Sequence, residues 1–360
     1  MLANARSQST ESRMACSTVS STSESVEVFL GSAKIIPTDP RVVERLVEVQ
    51  QLLGDDLTWV ERSLAETCSA GVRPATNAAY HLVERGGKRV RPVTALLAAA
   101  CFGQVTPESR SVALISELVH SATLLHDDVA DEGLERRGAP TARLAYGNAV
   151  SVLAGDLLLV HALERAHIEA PASLPDLLHT LRLLVDGEVI QLRGRTELDL
   201  REATYDRILR GKTASLFAWA TRAGARASGA APEQVERLGE FGELLGIAFQ
   251  LVDDLLDYDA QDTGKTSLVD LREGKLTLPL VLAVDGRPEL MGMVREIHAG
   301  NFDLIPAVAA NVLRSGACEM VRDRALEVTE RAIEVLSSIA ESKAKLLLMG
   351  VARELAARVA

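Results

Sequence analysis

The run from Val112 to Asp131, VALISELVHSATLLHDDVAD, passes from an apolar helical period straight into acid. Apolar residues recur at three- and four-residue spacing from Val112 to Leu125, as one buried helix face requires. Asp127, Asp128 and Asp131 then close the run. On a helix Asp127 and Asp131 share a face. Like charges at that spacing repel, and the C-terminal end of a helix disfavours anions. Such an edge calls for a cation. Hard carboxylate oxygens suit Mg²⁺, which binds through one or two carboxylates, waters and a substrate phosphate. The pattern returns in Phe249-Gln250-Leu251-Val252-Asp253-Asp254-Leu255-Leu256-Asp257. One copy reads as a solvated helix end. Two copies argue for two helices facing across a bundle, their carboxylates converging on metal ions. Asp55-Asp56 follows Gly54 without a third aspartate and reads as a turn or helix start.

Working outward, helical spacing begins with Val42, Val43, Leu46, Val49 and Leu52-Leu53. It continues through 92–101, 111–126, 150–168, 177–192, 205–223, 233–258, 276–284 and 320–358. Turn chemistry interrupts it at Gly86-Gly87, Gly138-Ala139-Pro140, Ala170-Pro171, Gly229 to Pro232 and Asp285-Gly286-Arg287-Pro288. Strand-like alternation is absent over any useful length, and no linker separates two domains. Residues 31–360 therefore read as one large all-α domain. Residues 1–30 read as a disordered tail, because serine supplies eight of the first 26 positions and large apolar groups are scarce. That tail is poor in arginine and carries Glu11 and Glu24, unlike an organelle-targeting peptide.

Composition agrees. The 360 residues are 47% hydrophobic but only 3% aromatic, which favours packed helices over sheets. A net charge of −11 argues against a nucleic-acid partner. The cysteines Cys16, Cys68, Cys101 and Cys318 are scattered without a CxxC pair, which fits a reducing, cytoplasmic setting. No long uncharged apolar stretch predicts a spanning helix. No basic amphipathic helix predicts more than transient membrane contact.

An acidic protein that binds anions must gather its cations locally. GGKRVRP at 86–92 joins a glycine pair to three cations, and Lys88 and Arg91 stand at i and i+3. Such a loop suits a diphosphate, through close backbone N–H groups and bidentate arginine. Arg136-Arg137-Gly138 follows the first acidic motif by five residues, and His120 precedes Asp127 by seven. Lys212-Thr213 interrupts an apolar helical segment. Gly264-Lys265-Thr266-Ser267 lacks the first glycine and the preceding strand of a nucleotide-binding P-loop.

At these residues the chain closely resembles the trans-isoprenyl diphosphate synthases, or polyprenyl synthetases. The markers are GGKRVRP at 86–92, HDDVADEGLERRG at 126–138, GEVIQL at 187–192, GKTASLF at 211–217, GIAFQLVDDLLDYD at 246–259 and GKTSLVDLREGKLTLPL at 264–280. All six stand in family order across residues 40–360. The resemblance implies an all-α bundle around a deep central cavity, usually a homodimer. It implies head-to-tail (1′-4) condensation of isopentenyl diphosphate onto an allylic diphosphate. By matching position, Asp127, Asp128, Asp131, Asp253, Asp254 and Asp257 would hold three Mg²⁺ ions. Asp127, Asp131 and Asp253 would be the direct ligands. Arg136, Lys212 and Lys265 would meet the allylic leaving group. Lys88, Arg91, His120 and Arg137 would bind isopentenyl diphosphate, with Arg89 beside Lys88 in the same loop, and Lys275 would help neutralise that site. Gln250 and Thr213 would face the developing allylic cation.

Short-chain members carry bulky aromatics four or five residues before the first aspartate. Here those positions are Thr123 and Ala122, both small. The resemblance therefore implies a medium- or long-chain all-trans product serving as a quinone side chain, with geranylgeranyl or farnesyl diphosphate as the alternative. A class I terpene cyclase would leave the Lys88, Arg91, His120 and Arg137 set without a ligand. A non-catalytic helical subunit would be expected to lose part of an acidic motif, and both are complete. A plain helical interaction protein would bind no diphosphate.

Overall fold

Long amphipathic runs rich in alanine and leucine fold as helices, and helices account for most of the computed structural model, which describes residues 40–258 and 268–359. The tail expected over 1–30 lies outside the described residues, as does Lys265. In chain order the helices are α1 (Pro40–Cys68), α2 (Ala75–Val83), α3 (Val90–Ala100), α4 (Pro107–Ala130), α5 (Ala142–Tyr146), α6 (Asn148–Glu169), α7 (Leu174–Glu197), α8 (Glu202–Leu209), α9 (Ser215–Ala227) and α10 (Pro232–Tyr258). There follow α11 (Val269–Arg272), α12 (Leu278–Gly286), α13 (Leu290–His298), α14 (Ile305–Arg314), α15 (Ala317–Val335) and α16 (Lys343–Ala356). Among the described residues the only strands are β1 (Glu135–Arg136) and β2 (Ala139–Pro140), an antiparallel hairpin pairing Glu135 with Pro140 and Arg136 with Ala139.

The chain divides into two compact units. The first comprises residues up to Val90 and Glu117–His161; the second comprises Arg91–Ser116 and the chain from Ala162 onward. In the first, α2 packs on α1 and α5. In the second, α10 is the central element and packs on α9, α12, α15 and α16. Trp219, Phe217 and Phe241 are its largest fully buried side chains. The Trp219 indole N–H donates to the Ser173 carbonyl at 3.2 Å, so the buried ring leaves no unsatisfied donor. Gly246 lets α10 approach the segment ahead of α9, where a Cβ would stand 2.6 Å from Ala214 Cα. That approach fixes the register of α10, which carries Gln250 and the second acidic motif one to three turns further on.

The structure departs from the periodic reading at particular places. Asp55 and Asp56 lie inside α1 and do not start a helix, because the apolar face on either side outweighs the cost of Gly54. The stretch 290–314, unassigned by pattern, forms α13 and α14, each too short to display many turns of a period. The run 320–358 is broken at Leu336–Ser338 by a 3₁₀ turn, and Ser342 then caps α16 by accepting from Lys345 N. The run 205–223 is interrupted by a π turn at Arg210–Ala214.

Candidate active site

In the first unit, α4 runs unbroken from His120 through Asp127 to Ala130, and Asp131 N donates to the Asp127 carbonyl at 2.8 Å. His120, Asp127 and Asp131 therefore follow one helix face and are all half-buried. Asp128 points the other way and is only 1% exposed. Its Oδ1 accepts from Arg136 Nε at 2.6 Å. Arg136 stands on the β hairpin, whose turn residues Arg137 and Gly138 both have positive φ (55° and 74°). Such a two-residue turn matches strand twist. It sends Arg137 towards the glycine loop, where Nη1 donates to the carbonyls of Gly86 and Leu82. Burial pulls the Arg137 pKa below its usual value, while Glu117 opposes that pull. Lys88 is exposed on the same loop. Ala122 is fully buried on α4 and Thr123 is half-buried, its hydroxyl donating to the His120 carbonyl at 2.8 Å.

In the second unit, the π turn carries Lys212 and Thr213. Two glycines make it fit: a Cβ at Gly211 would lie 2.7 Å from the Leu183 carbonyl oxygen, and one at Gly187 would lie 2.8 Å from Lys212 N. α7 and the turn thus touch backbone to backbone. Lys212 forms an ion pair with Glu188 of α7. Thr213 donates to Gln250 Oε1 at 2.8 Å, and Gln250 Nε2 donates to Asp254 Oδ1 at 2.8 Å. The Tyr205 hydroxyl donates to Asp254 Oδ2 at 2.7 Å, and Leu278 N donates to the same oxygen at 3.3 Å. Burial raises the Asp254 pKa to about 6, against the lowering effect of these donors.

Asp253, one residue earlier, is exposed. Asp257 accepts the N–H groups of Val269 at 3.0 Å and Asp270 at 3.2 Å, which seats the start of α11. Burial pushes the carboxyls of Asp257 and Asp270 up, and Lys275 opposes it in both. Lys275 lies 3.6 Å from Asp270 and donates to Glu273 at 2.6 Å, so it stands beside the second acidic motif. The Arg91 guanidinium lies 4.5 Å from the centre of the Phe217 ring, a cation–π distance.

The two motifs share one design. The middle aspartate is buried and held by protein donors, while the outer ones keep more exposure near the end of a long helix. Among the described residues no three His, Cys, Asp or Glu side chains gather closely enough to cage an ion unaided. Magnesium needs no such cage when substrate phosphate and water complete its octahedron. The donor set therefore fits that ion in the company of a diphosphate. Sequence reasoning missed Tyr205, Glu188, Asp270 and the pair Glu61 and Glu117. All but Asp270 act through a partner distant in the chain, which no local pattern reveals.

The polyprenyl synthetase profile matches residues 73–314. Octaprenyl diphosphate synthase of Escherichia coli K12 is 37% identical over 313 residues, covering 85% of this chain and 97% of its own. A polyprenyl synthase of Caulobacter crescentus, solved with calcium and isoprenyl diphosphate, superposes with a TM-score of 0.81 at 34% identity, covering 87% of this chain and 98% of that one. A decaprenyl diphosphate synthase of Rhodobacter capsulatus superposes with a TM-score of 0.81 at 36% identity over the same shares. The chain belongs to the polyprenyl synthetase family, whose members are metal-dependent transferases of prenyl groups with the all-α isoprenoid synthase fold.

Proposed function

We propose that this protein condenses isopentenyl diphosphate head-to-tail with an allylic diphosphate, repeatedly, to make an all-trans polyprenyl diphosphate of medium or long chain for a quinone side chain. The observation that carries this reading is the duplicated acidic helix end, in which the middle aspartate is buried and bonded to protein while the outer ones keep more exposure. The octaprenyl and decaprenyl synthases to which the chain is similar support the product length. In this reading Asp127, Asp131, Asp253 and Asp257 would hold three Mg²⁺ ions together with the allylic diphosphate. Asp128 and Asp254 hold Arg136 and Gln250 in place. Bound Mg²⁺ supplies charge stabilisation to the departing diphosphate.

The chain's own groups do the rest. Arg136, Lys212 and Lys265 meet the leaving diphosphate as charge develops on it. Lys88, Arg91, His120 and Arg137 hold isopentenyl diphosphate. Lys275, which the resemblance assigned to the isopentenyl site, is instead given the acidic cluster around Asp257 and Asp270, because it pairs with Asp270 and Glu273. The Thr213 and Gln250 dipoles face the allylic cation, and the hydrogen bond between them fixes the amide so that its oxygen is turned to Thr213. The allylic C–O bond breaks, the isopentenyl double bond forms the new C–C bond, and the proton leaves to released pyrophosphate. Buried apolar helices such as α4 and α9 exclude the water that would trap the cation as an alcohol. No single described helix is long and apolar enough to cross a membrane. A cytoplasmic setting is supported by the cysteine usage, with Cys68, Cys101 and Cys318 unbridged and no CxxC pair in the sequence.

The test incubates the protein with Mg²⁺, labelled isopentenyl diphosphate and each allylic primer, then sizes the dephosphorylated products. Products beyond geranylgeranyl support the reading; a volatile hydrocarbon from an allylic substrate alone, or no condensation, overturns it. Ala122→Phe should shift the product distribution to shorter chains. An unchanged distribution would show that Ala122 does not line the path of the growing chain.

A further inference from the structure

Arg89 is the middle cation of GGKRVRP, yet it is only 4% exposed, whereas the neighbouring Lys88 is exposed. Its guanidinium is held on three nitrogens. Nε donates to Glu61 Oε1 at 2.5 Å, Nη2 to Glu61 Oε2 at 3.1 Å, and Nη1 to Glu117 Oε1 at 2.5 Å. Glu61 belongs to α1 and Glu117 to α4, so one side chain ties this turn to two long helices. The Arg89 backbone has φ 47°, a left-handed conformation costly for a residue with a Cβ. Such a conformation persists only when its surroundings over-determine it, and the bidentate fork does so.

The glycine loop closes on the same cluster. A Cβ at Gly87 would stand 2.8 Å from Arg89 Nη1 and 2.9 Å from Arg137 Nη2, so a side chain there would have to displace one or both guanidiniums from the loop. Burial alone would weaken the Arg89 charge, but Glu117 and Glu61 more than reverse that and raise its pKa. Glu117 also supports the charge of Arg137. Two carboxylates thus balance two guanidiniums beneath the loop.

We propose that Arg89 is the positioning residue of the isopentenyl diphosphate loop: anchored by Glu61 and Glu117, it holds Gly86 to Lys88 in the conformation that presents Lys88 and Arg137 to the diphosphate. This inference rests on the assignment of Lys88 and Arg137 to isopentenyl diphosphate. Arg89 does not touch substrate. Its charge matters less than its fork, because a lysine cannot span both carboxylates with the same geometry.

Arg89→Lys keeps the charge and removes the fork. The KM for isopentenyl diphosphate should rise about tenfold, the size expected from losing one charge-assisted hydrogen bond's worth of order. The KM for the allylic diphosphate should stay within about twofold, since this cluster lies at the other substrate's loop. Amide exchange over residues 84–91 should quicken in the same variant. Glu61→Asp, which keeps charge but withdraws the carboxylate by one methylene, should do the same and serves if Arg89→Lys does not fold. An unchanged KM for isopentenyl diphosphate, or equal rises for both substrates, overturns the positioning role. Failure of the wild-type protein to condense the two substrates would instead overturn the functional reading, and the exchange measurement would still report whether Arg89 orders the loop.

Discussion

The Tyr205 hydroxyl shows how much of a site rests on groups that never meet a ligand. It donates to Asp254, which also receives Gln250, which in turn receives Thr213. The chain of bonds orients an amide and a hydroxyl assigned to the allylic cation. The phenol pays for its own burial only through this bond, since burial and the nearby carboxylate both raise its pKa and keep it a donor. Tyr205→Phe leaves Asp254 buried with one donor fewer. We expect a loss of about 1–2 kcal/mol in unfolding free energy, the cost of an unsatisfied buried acceptor. We also expect a several-fold fall in kcat, because Gln250 loses its fixed anchor, with the KM for isopentenyl diphosphate unchanged. Urea denaturation and steady-state kinetics on one preparation check both. An unaltered midpoint and kcat would show that Gln250 and Leu278 N suffice to hold Asp254.

At the scale of the element, the π turn at Arg210–Ala214 and its glycine contact with α7 decide where Lys212 and Thr213 stand. π turns inside helices commonly mark functional positions. Gly211→Ala would drive a Cβ to 2.7 Å from the Leu183 carbonyl, where backbone and not a flexible side chain must yield. The expected cost is about 1–3 kcal/mol, as for other overpacked sites. The expected fall in kcat is about a hundredfold, as when catalytic groups move by about an ångström. Gly292→Ala is the control, because a Cβ there meets nothing within 4 Å. It should raise the thermal midpoint slightly through the helix preference of alanine. The same contrast explains what the sequence could show. The helical period and the acid at its edges are local, so α4, α10 and both motifs were legible. The π turn was not, because 205–223 keeps its apolar spacing across it; only the close approach to Gly187 reveals why the helix widens. Arg89 was not legible either, since nothing local in a basic loop tells a buried cation from an exposed one until Glu61 and Glu117 are seen around it.

At the scale of the molecule, the apolar surface left over after folding is an argument about assembly. On α7 the inward face is Leu177, Thr180, Leu184, Gly187 and Gly194, and all five are buried. The opposite face carries Leu178, Val185, Val189 and Leu192, which are 52%, 61%, 51% and 38% exposed. Leu178, Val185 and Leu192 repeat every seven residues, the spacing of a helix seam. α6 shows the same spacing in exposed Leu153 and Val160. Apolar residues aligned in this way are the kind of surface that a protein–protein interface buries. In a homodimer, the assembly the resemblance implies, a two-fold axis would bring each such face onto its own copy. Two chains of net charge −11 repel, so the dimer should strengthen as salt shortens the Debye length to about 8 Å at physiological ionic strength. Val185→Asp with Val189→Asp should yield monomers by light scattering and sedimentation, because each introduced carboxylate would be buried against its own symmetry mate. Both side chains are exposed within the chain, so the helix content and thermal midpoint of the monomer should survive. A particle of unchanged dimeric mass would place the interface elsewhere, and a wild-type monomer at all salt concentrations would exclude the dimer while leaving the chemistry of the acidic motifs untouched.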